Sequence, residues 1–178
     1  MTALEHLMAE HRVIEEVLDA LDAGGPQPAQ FYLAAVEFIR GFADQAHHRK
    51  EEGVLFKAMA RYGFPEDQGP VGMMLAEHEE ARQITRALEE AARRLEAGEQ
   101  PAGEEAARHA QAYASLLRQH IEKEDHILYV MAEHAIPPDE MEAMAKEFAA
   151  IDRDELGADG RGRYESLAAS LPRLARAG

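Results

Sequence analysis

The chain has 178 residues, the length of a single domain at about 150 residues each, and is long enough to bury a core of its own. Its 34 acidic and 19 basic residues leave a net charge of −15 with both signs spread along the chain, so the basic face that a nucleic-acid partner needs is missing. There is no cysteine, which excludes disulfides, thiolate nucleophiles, zinc fingers and cysteine-held iron–sulfur clusters; nine histidines and the carboxylates remain for metal or redox chemistry.

No stretch approaches the roughly 18 apolar residues of a membrane span. The best one, FYLAAVEFIRGFA, is broken by Glu37 and Arg40, and the N-terminus lacks the basic start and apolar core of a signal peptide. A cytoplasmic protein with no membrane partner is expected. Helical periodicity dominates and no alternating β-branched run stands between hairpin turns, so the fold class is all-α. Thr2 caps a first helix that places Leu4, Leu7, Met8, Ile14, Val17, Leu18 and Leu21 on one face and ends at Gly24-Gly25-Pro26. The second runs from about 27 to 62 and stops at Gly63-Phe64-Pro65, the third from about 70 to Gly98, and the fourth from about 102 to 134, before Pro137-Pro138. Four long amphipathic helices with short connections predict an up-down-up-down antiparallel four-helix bundle over residues 1–136. Residues 137–178 predict a helical extension, with one helix over 139–153 and a weaker one over 163–175, that covers an end of the bundle or serves an oligomer contact.

Polar residues interrupt the apolar stripes at particular places. Stepping along each helix face puts His11 inward on the first helix, His47 and Glu51 on the second, His78 on the third, and His120 and Glu124 on the fourth. At about 1.5 Å per residue, His11 and His78 lie roughly 13 and 12 Å after the starts of their helices. Glu51 and Glu124 lie roughly 16 and 15 Å before the ends of theirs. In an antiparallel bundle these four ends coincide, so all six side chains fall in one layer.

His-x-x-x-Glu occurs twice, as His47…Glu51 and His120…Glu124, and the i, i+4 spacing stacks both side chains on one face where they can chelate. Two ionised glutamates at one level of an apolar core cost many kcal/mol unless they are paired or coordinated. Two cations remove that cost, and mixed imidazole and carboxylate donors suit iron, manganese or zinc. The alternative pairs these glutamates with Arg49, Arg82 or Lys123, or rotates the stripes so that both face water.

The strings LMAEHRVIEEVLDAL, HHRKEEGVLF, GPVGMMLAEHEEAR and HIEKEDHILYVMAE, in this order over residues 1 to about 135, resemble the hemerythrin or HHE cation-binding family, a four-helix bundle that holds a non-haem di-iron centre. The resemblance implies His11, His47, Glu51, His78, His120 and Glu124 as ligands. It further implies that Glu51 and Glu124 bridge two iron ions joined by an oxo or hydroxo group, with zinc or manganese as substitutes. The oxygen carriers resemble a pattern with a second histidine one turn earlier on the third helix, where this chain has Met74. It therefore leaves an iron more open and favours oxidation chemistry or sensing over oxygen carriage.

Other polar residues receive smaller roles. His48 is read as a helix-edge residue, with a supporting or ligating role as the alternative, and Glu52 and Asp125 as solvated partners of Arg or Lys. Asp125 is also the competitor of Glu124, but it turns about 100° further from the stripe. Tyr113 and Tyr129 are read as core, with a hydrogen bond to the site or tuning of a metal as the alternative; Met73 and Met74 as packing, with Met74 alternatively walling the open iron position; His126 as surface, and His6 as an end-of-bundle residue. His109 and His134 lie roughly 16 and 21 Å along the helix from His120, too far to join it. The resemblance implies a small-molecule partner, O2, NO or peroxide, bound, sensed or turned over by a peroxidase- or oxidase-type activity. Iron storage, repair of iron centres and a metal-free helical interaction module are the competing functions.

Overall fold

Helix α1 (Ala3–Leu21) begins at a reciprocal cap: Thr2 Oγ1 accepts from the Glu5 backbone N–H at 3.1 Å, and the Thr2 N–H donates to Glu5 Oε2 at 2.7 Å. Gly24 and Gly25 then turn the chain in the left-handed region, at φ 80° and 73°, where a side chain would be strained. Helix α2 runs without a break over residues 29–61, α3 spans Gly69–Glu96 with Pro70 in its first turn, and α4 runs over residues 102–135. After Ile136 and Pro137 come α5 (Pro138–Leu156) and α6 (Gly160–Arg176). The computed structural model describes residues 1–176, and these form six helices and no strand. None of the six is long and apolar enough to cross a membrane.

Two of these helices are not regular α. In α2, Ile39–His48 and Glu51–Leu55 are wound in i→i+5 turns, and α4 does the same over Glu124–Leu128. Such a wider turn holds more residues, so consecutive side chains are separated by a smaller angle than in an α-helix. The three segments carry or immediately flank the two His-x-x-x-Glu motifs.

Buried apolar side chains fall into two clusters, one at each end of the bundle. The first holds Ile14 and Leu18 of α1, Phe38 and Phe42 of α2, Ala81 and Leu88 of α3, and Tyr113 and Leu117 of α4. The second holds Leu4 and Leu7, Leu55 and Met59, Val71 and Met74, and Leu128 and Tyr129 of the same four helices. Along the chain, α1 passes from the second cluster to the first, α2 returns, α3 repeats α1 and α4 repeats α2. That alternation is the antiparallel up-down-up-down bundle. Each of these four helices crosses from one oily layer to the other at the level of His11, His47, Glu51, His78, His120 or Glu124.

The last two helices pack along α1 and α2 and touch both layers. Met144 and Phe148 of α5 join the second cluster, whereas Tyr164, Ala168 and Leu171 of α6 join the first. Gly41 in α2 is where Tyr164 lands: a Cβ there would overlap the Tyr164 ring and hydroxyl. Gly41→Ala is accordingly expected to lower stability by about 1–3 kcal/mol, the usual cost of overpacking. Chemical denaturation measures this, and an unchanged midpoint would contradict the close seating of α6.

Candidate metal centre

The centre is built from four helices that each turn one or more imidazoles inward. His11, His47, His78 and His120 are at most 1% exposed, His48 is 2% exposed, and Glu51 and Glu124 are fully buried. Donor atoms of His11, His47, Glu51 and Glu124 all lie within 4.8 Å of one another, and so do those of His48, Glu51, His78 and His120. The two groups share Glu51, whose Oε2 stands 3.6 Å from His47 Nε2 and 3.3 Å from His78 Nε2. Glu124 spans them as well, with Oε2 at 3.2 Å from His11 Nε2 and Oε1 at 3.0 Å from His120 Nε2. The six residues expected from the sequence therefore come together.

Each imidazole is held from behind by a carboxylate. The Nδ1–H of His11 donates to Asp125 at 2.7 Å, that of His47 to Glu10 at 2.8 Å, that of His78 to Glu52 at 2.7 Å and that of His120 to Glu77 at 2.8 Å. His48 Nδ1 faces Asp44 at 3.4 Å. A donor bond on Nδ1 fixes the ring and leaves the Nε2 lone pair pointing into the centre, the usual preparation of a metal-binding histidine. These outer carboxylates are in turn tied to cations: Asp125 to Arg12, Glu10 to Lys50, Asp44 and Glu52 to Arg82, and Glu77 to Lys123.

The inner carboxylates differ. Among the described residues, no lysine or arginine pairs with Glu51 or Glu124, so the alternative pairing with Arg49, Arg82 or Lys123 does not form; Arg49 goes to Glu155 instead. Burial opposes ionisation of Glu124, but His120 and His11 outweigh it and hold its pKa well below the usual carboxylate range. Conversely, burial lowers the pKa of His11, yet Asp125 and Glu124 raise it to about 9, and Glu124 and Glu77 raise His120 to about 10 in the same way. The charge of Glu124 is thus answered by the two imidazoles it faces.

Five buried side-chain polar atoms lack a hydrogen-bond partner among the described residues, and four of them are His47 Nε2, Glu51 Oε2 and both oxygens of Glu124. A buried polar group without a partner costs about 1–3 kcal/mol, more when charged, and such groups are rare. Four in one cluster of imidazole and carboxylate donors fit a pair of cations.

Some residues stand elsewhere than the periodicity places them. His48 is not at a helix edge: the wide turn over Ile39–His48 brings it inward beside His47, and its ring stacks on His78 at 3.8 Å. Asp125 and Glu52 are partners of arginine as expected but also clamp His11 and His78. Tyr129 is a core residue whose hydroxyl reaches the centre, donating to Glu51 and lying 3.3 Å from His11 Nε2. Burial and the two inner carboxylates push its pKa well up, so it remains a phenol. Met74 packs in the apolar layer, whereas Met73 is 53% exposed. His126 and His134 are exposed. A cavity of about 170 Å³, lined by Ile39, Asp44, His48, Arg82, Thr85 and Tyr113 among others, adjoins the centre at His48.

His6 joins Glu10, Lys50 and Asp152 rather than merely closing the bundle. Hydrogen bonds to Asp152 and Glu10 raise its pKa to about 9 from 6.5 despite burial. Folding thus favours its charged form, a stabilisation complete below pH 6.5 and lost as pH rises through about 9. At fixed metal loading, His6→Gln is expected to remove about 2 kcal/mol of this pH-dependent stability, measured by denaturant unfolding across that window. Parallel profiles for both proteins would contradict the assignment.

An antiparallel four-helix bundle with histidine and carboxylate donors gathered at one level defines a helical protein that binds metal cations. The family model for the hemerythrin HHE cation binding domain matches residues 2–132, and the chain belongs to that family. No curated protein and no solved structure matches the chain.

Proposed function

We propose that the centre holds two iron ions and that the protein binds or reduces a small oxidant, O2, NO or peroxide. The observation that carries this reading is the set of donors His47 Nε2, Glu51 Oε2 and the two oxygens of Glu124, buried without a hydrogen bond and gathered between two groups of imidazoles. His11 and His47 serve one ion, and His78 and His120 the other. Glu51 and Glu124 each face both groups. His48 offers a further ring nitrogen to the second group. Bound iron supplies electrons and an open position for the small molecule.

The protein residues supply the remainder. Asp125, Glu10, Glu52 and Glu77 fix the imidazoles and make them stronger donors. The apolar layers above and below exclude bulk water. Tyr129 keeps its proton beside Glu51 and His11, where it can donate a hydrogen bond at the first group. The cavity of about 170 Å³ beside His48 gives a small molecule room next to the second group.

The test is rapid mixing of the anaerobically iron-loaded, reduced protein with O2, hydrogen peroxide or NO while its visible spectrum is recorded. Tight binding without turnover marks a sensor or carrier, and steady consumption in the presence of a reductant marks an enzyme. No spectral change with any of the three would refute the reading.

A further inference from the structure

Behind His47 lies a buried charge cluster that the matched part of the chain does not complete. Glu10 Oε2 accepts from His47 Nδ1, and Glu10 Oε1 takes both the Lys50 ammonium and His6 Nε2, the latter at 3.1 Å. Lys50 is 0% exposed, and its other carboxylate partner is Asp152 on α5, twenty residues beyond the end of the family match at 132. His6 Nε2 also meets Asp152 Oδ2 at 3.0 Å. Donor atoms of His6, Glu10 and Asp152 lie close enough for a further cation, but the Lys50 ammonium touches both carboxylates and already fills that role.

Asp152 is held in place by its own helix. Phe148, one turn earlier, is fully buried, with its ring 6.1 Å from that of His6, Met144 is buried in the second apolar layer, and Glu155 pairs with Arg49. The carboxylate is thus presented to Lys50 by a docked helix. One ammonium is shared between two carboxylates. Were Asp152 neutral, the whole charge of Lys50 would fall on Glu10, and Glu10 would polarise the His47 N–H less. An imidazole whose N–H is weakly polarised is a poorer donor through Nε2.

We propose that Asp152 is a positioning residue of the metal centre, which acts through Lys50 and Glu10 to set how strongly His47 donates to its ion. The C-terminal extension is then part of the centre's tuning as well as of its packing. This rests on the reading of the centre as an iron site given above.

The experiment uses the full chain in three variants, Asp152→Asn, Lys50→Met and Glu155→Gln, the last cutting the neighbouring tie of the same helix. Zinc-loaded protein is mixed with a chelator to obtain release rates, iron-loaded protein is titrated for its midpoint potential, and melting of the metal-free protein records stability. Asp152→Asn is expected to release zinc about tenfold faster, the lower end of the effect of altering a group behind a ligand. Its midpoint potential is expected to rise, by about 59 mV if ferric binding weakens tenfold relative to ferrous. Lys50→Met restores charge to Glu10 and is expected to lower the potential; it carries the test alone if Asp152→Asn does not fold. Glu155→Gln is expected to change neither release nor potential. Equal shifts in Asp152→Asn and Glu155→Gln would reduce Asp152 to a docking contact and overturn the proposal. Normal loading with unchanged release and potential in Asp152→Asn and Lys50→Met would overturn the proposal alone, whereas failure of the unaltered chain to bind metal would overturn the reading of the centre with it.

Discussion

Replacing Glu124 by glutamine is expected to weaken metal binding at least 100-fold while leaving the metal-free fold intact. Groups that merely orient a ligand are worth 10–100-fold in affinity, and Glu124 faces both donor groups, so on the proposed reading the upper end is the minimum. The amide has the same shape but lacks the charge that offsets two cations. In the metal-free protein the cost is smaller, because Glu124 meets no lysine or arginine and answers only the protonated His11 and His120. Asp125 and Glu77 still hold those two imidazoles by hydrogen bonds, so the helices keep their packing. Metal content after dialysis and melting of the metal-free variant measure the two halves. Retention of two tightly held metals by Glu124→Gln would remove it from the centre. A matching loss from Glu51→Gln is expected on the same ground.

Stripping the metal from the unaltered protein is expected to lower its melting temperature by about 8–16 °C. An ion that binds only the folded chain stabilises it by about 4 kcal/mol when present at 1,000 times its dissociation constant. For a chain of this length, each kcal/mol corresponds to about 2–4 °C. The source of the stabilisation is visible in the structure: His47 Nε2, Glu51 Oε2 and both Glu124 oxygens lie buried without a hydrogen bond between two apolar layers. Calorimetry before and after chelation, with re-addition of metal as the control, gives the difference. Identical melting with and without metal would show that those groups are satisfied in some other way.

The inward set of six was legible because two independent regularities point at it. Apolar periodicity selects which face of each helix is buried, and distance from the helix ends selects the level. Neither depends on fine geometry. The parts that escaped are those that do. Consecutive inward residues such as His47 and His48 violate a 100° step, and a stripe drawn at that step turns His48 toward the edge. The wide turns over Ile39–His48 and Glu124–Leu128 relax that step, and no propensity of Gly41, Phe42 or Ala43 announces them. A repeated histidine next to a ligand motif is the one signal that points there.

Glu10, Asp44 and Glu77 carry no signal in the sequence for another reason. On a helix rich in acidic residues, a carboxylate that turns back to grip an imidazole on another helix looks like any solvated Glu or Asp. Glu10 to His47 and Glu77 to His120 are pairings between helices, invisible to periodicity along one. Tyr129 is at once the core residue and the hydrogen-bond donor that its spacing allows, and the register of α4 against α1 and α2 decides that its hydroxyl reaches Glu51. Asp152 combines both difficulties, since its partner lies 102 residues away on a helix of the bundle.

The most direct test of the account is the number and kind of metal ions in the purified full chain, read by elemental analysis together with the visible spectrum through one cycle of anaerobic reduction and re-oxidation. The account predicts two irons per chain and an absorption band that bleaches on reduction and returns with air. A chain that takes up no metal on anaerobic addition of ferrous iron, or a single ion with no redox-linked absorbance, would contradict it.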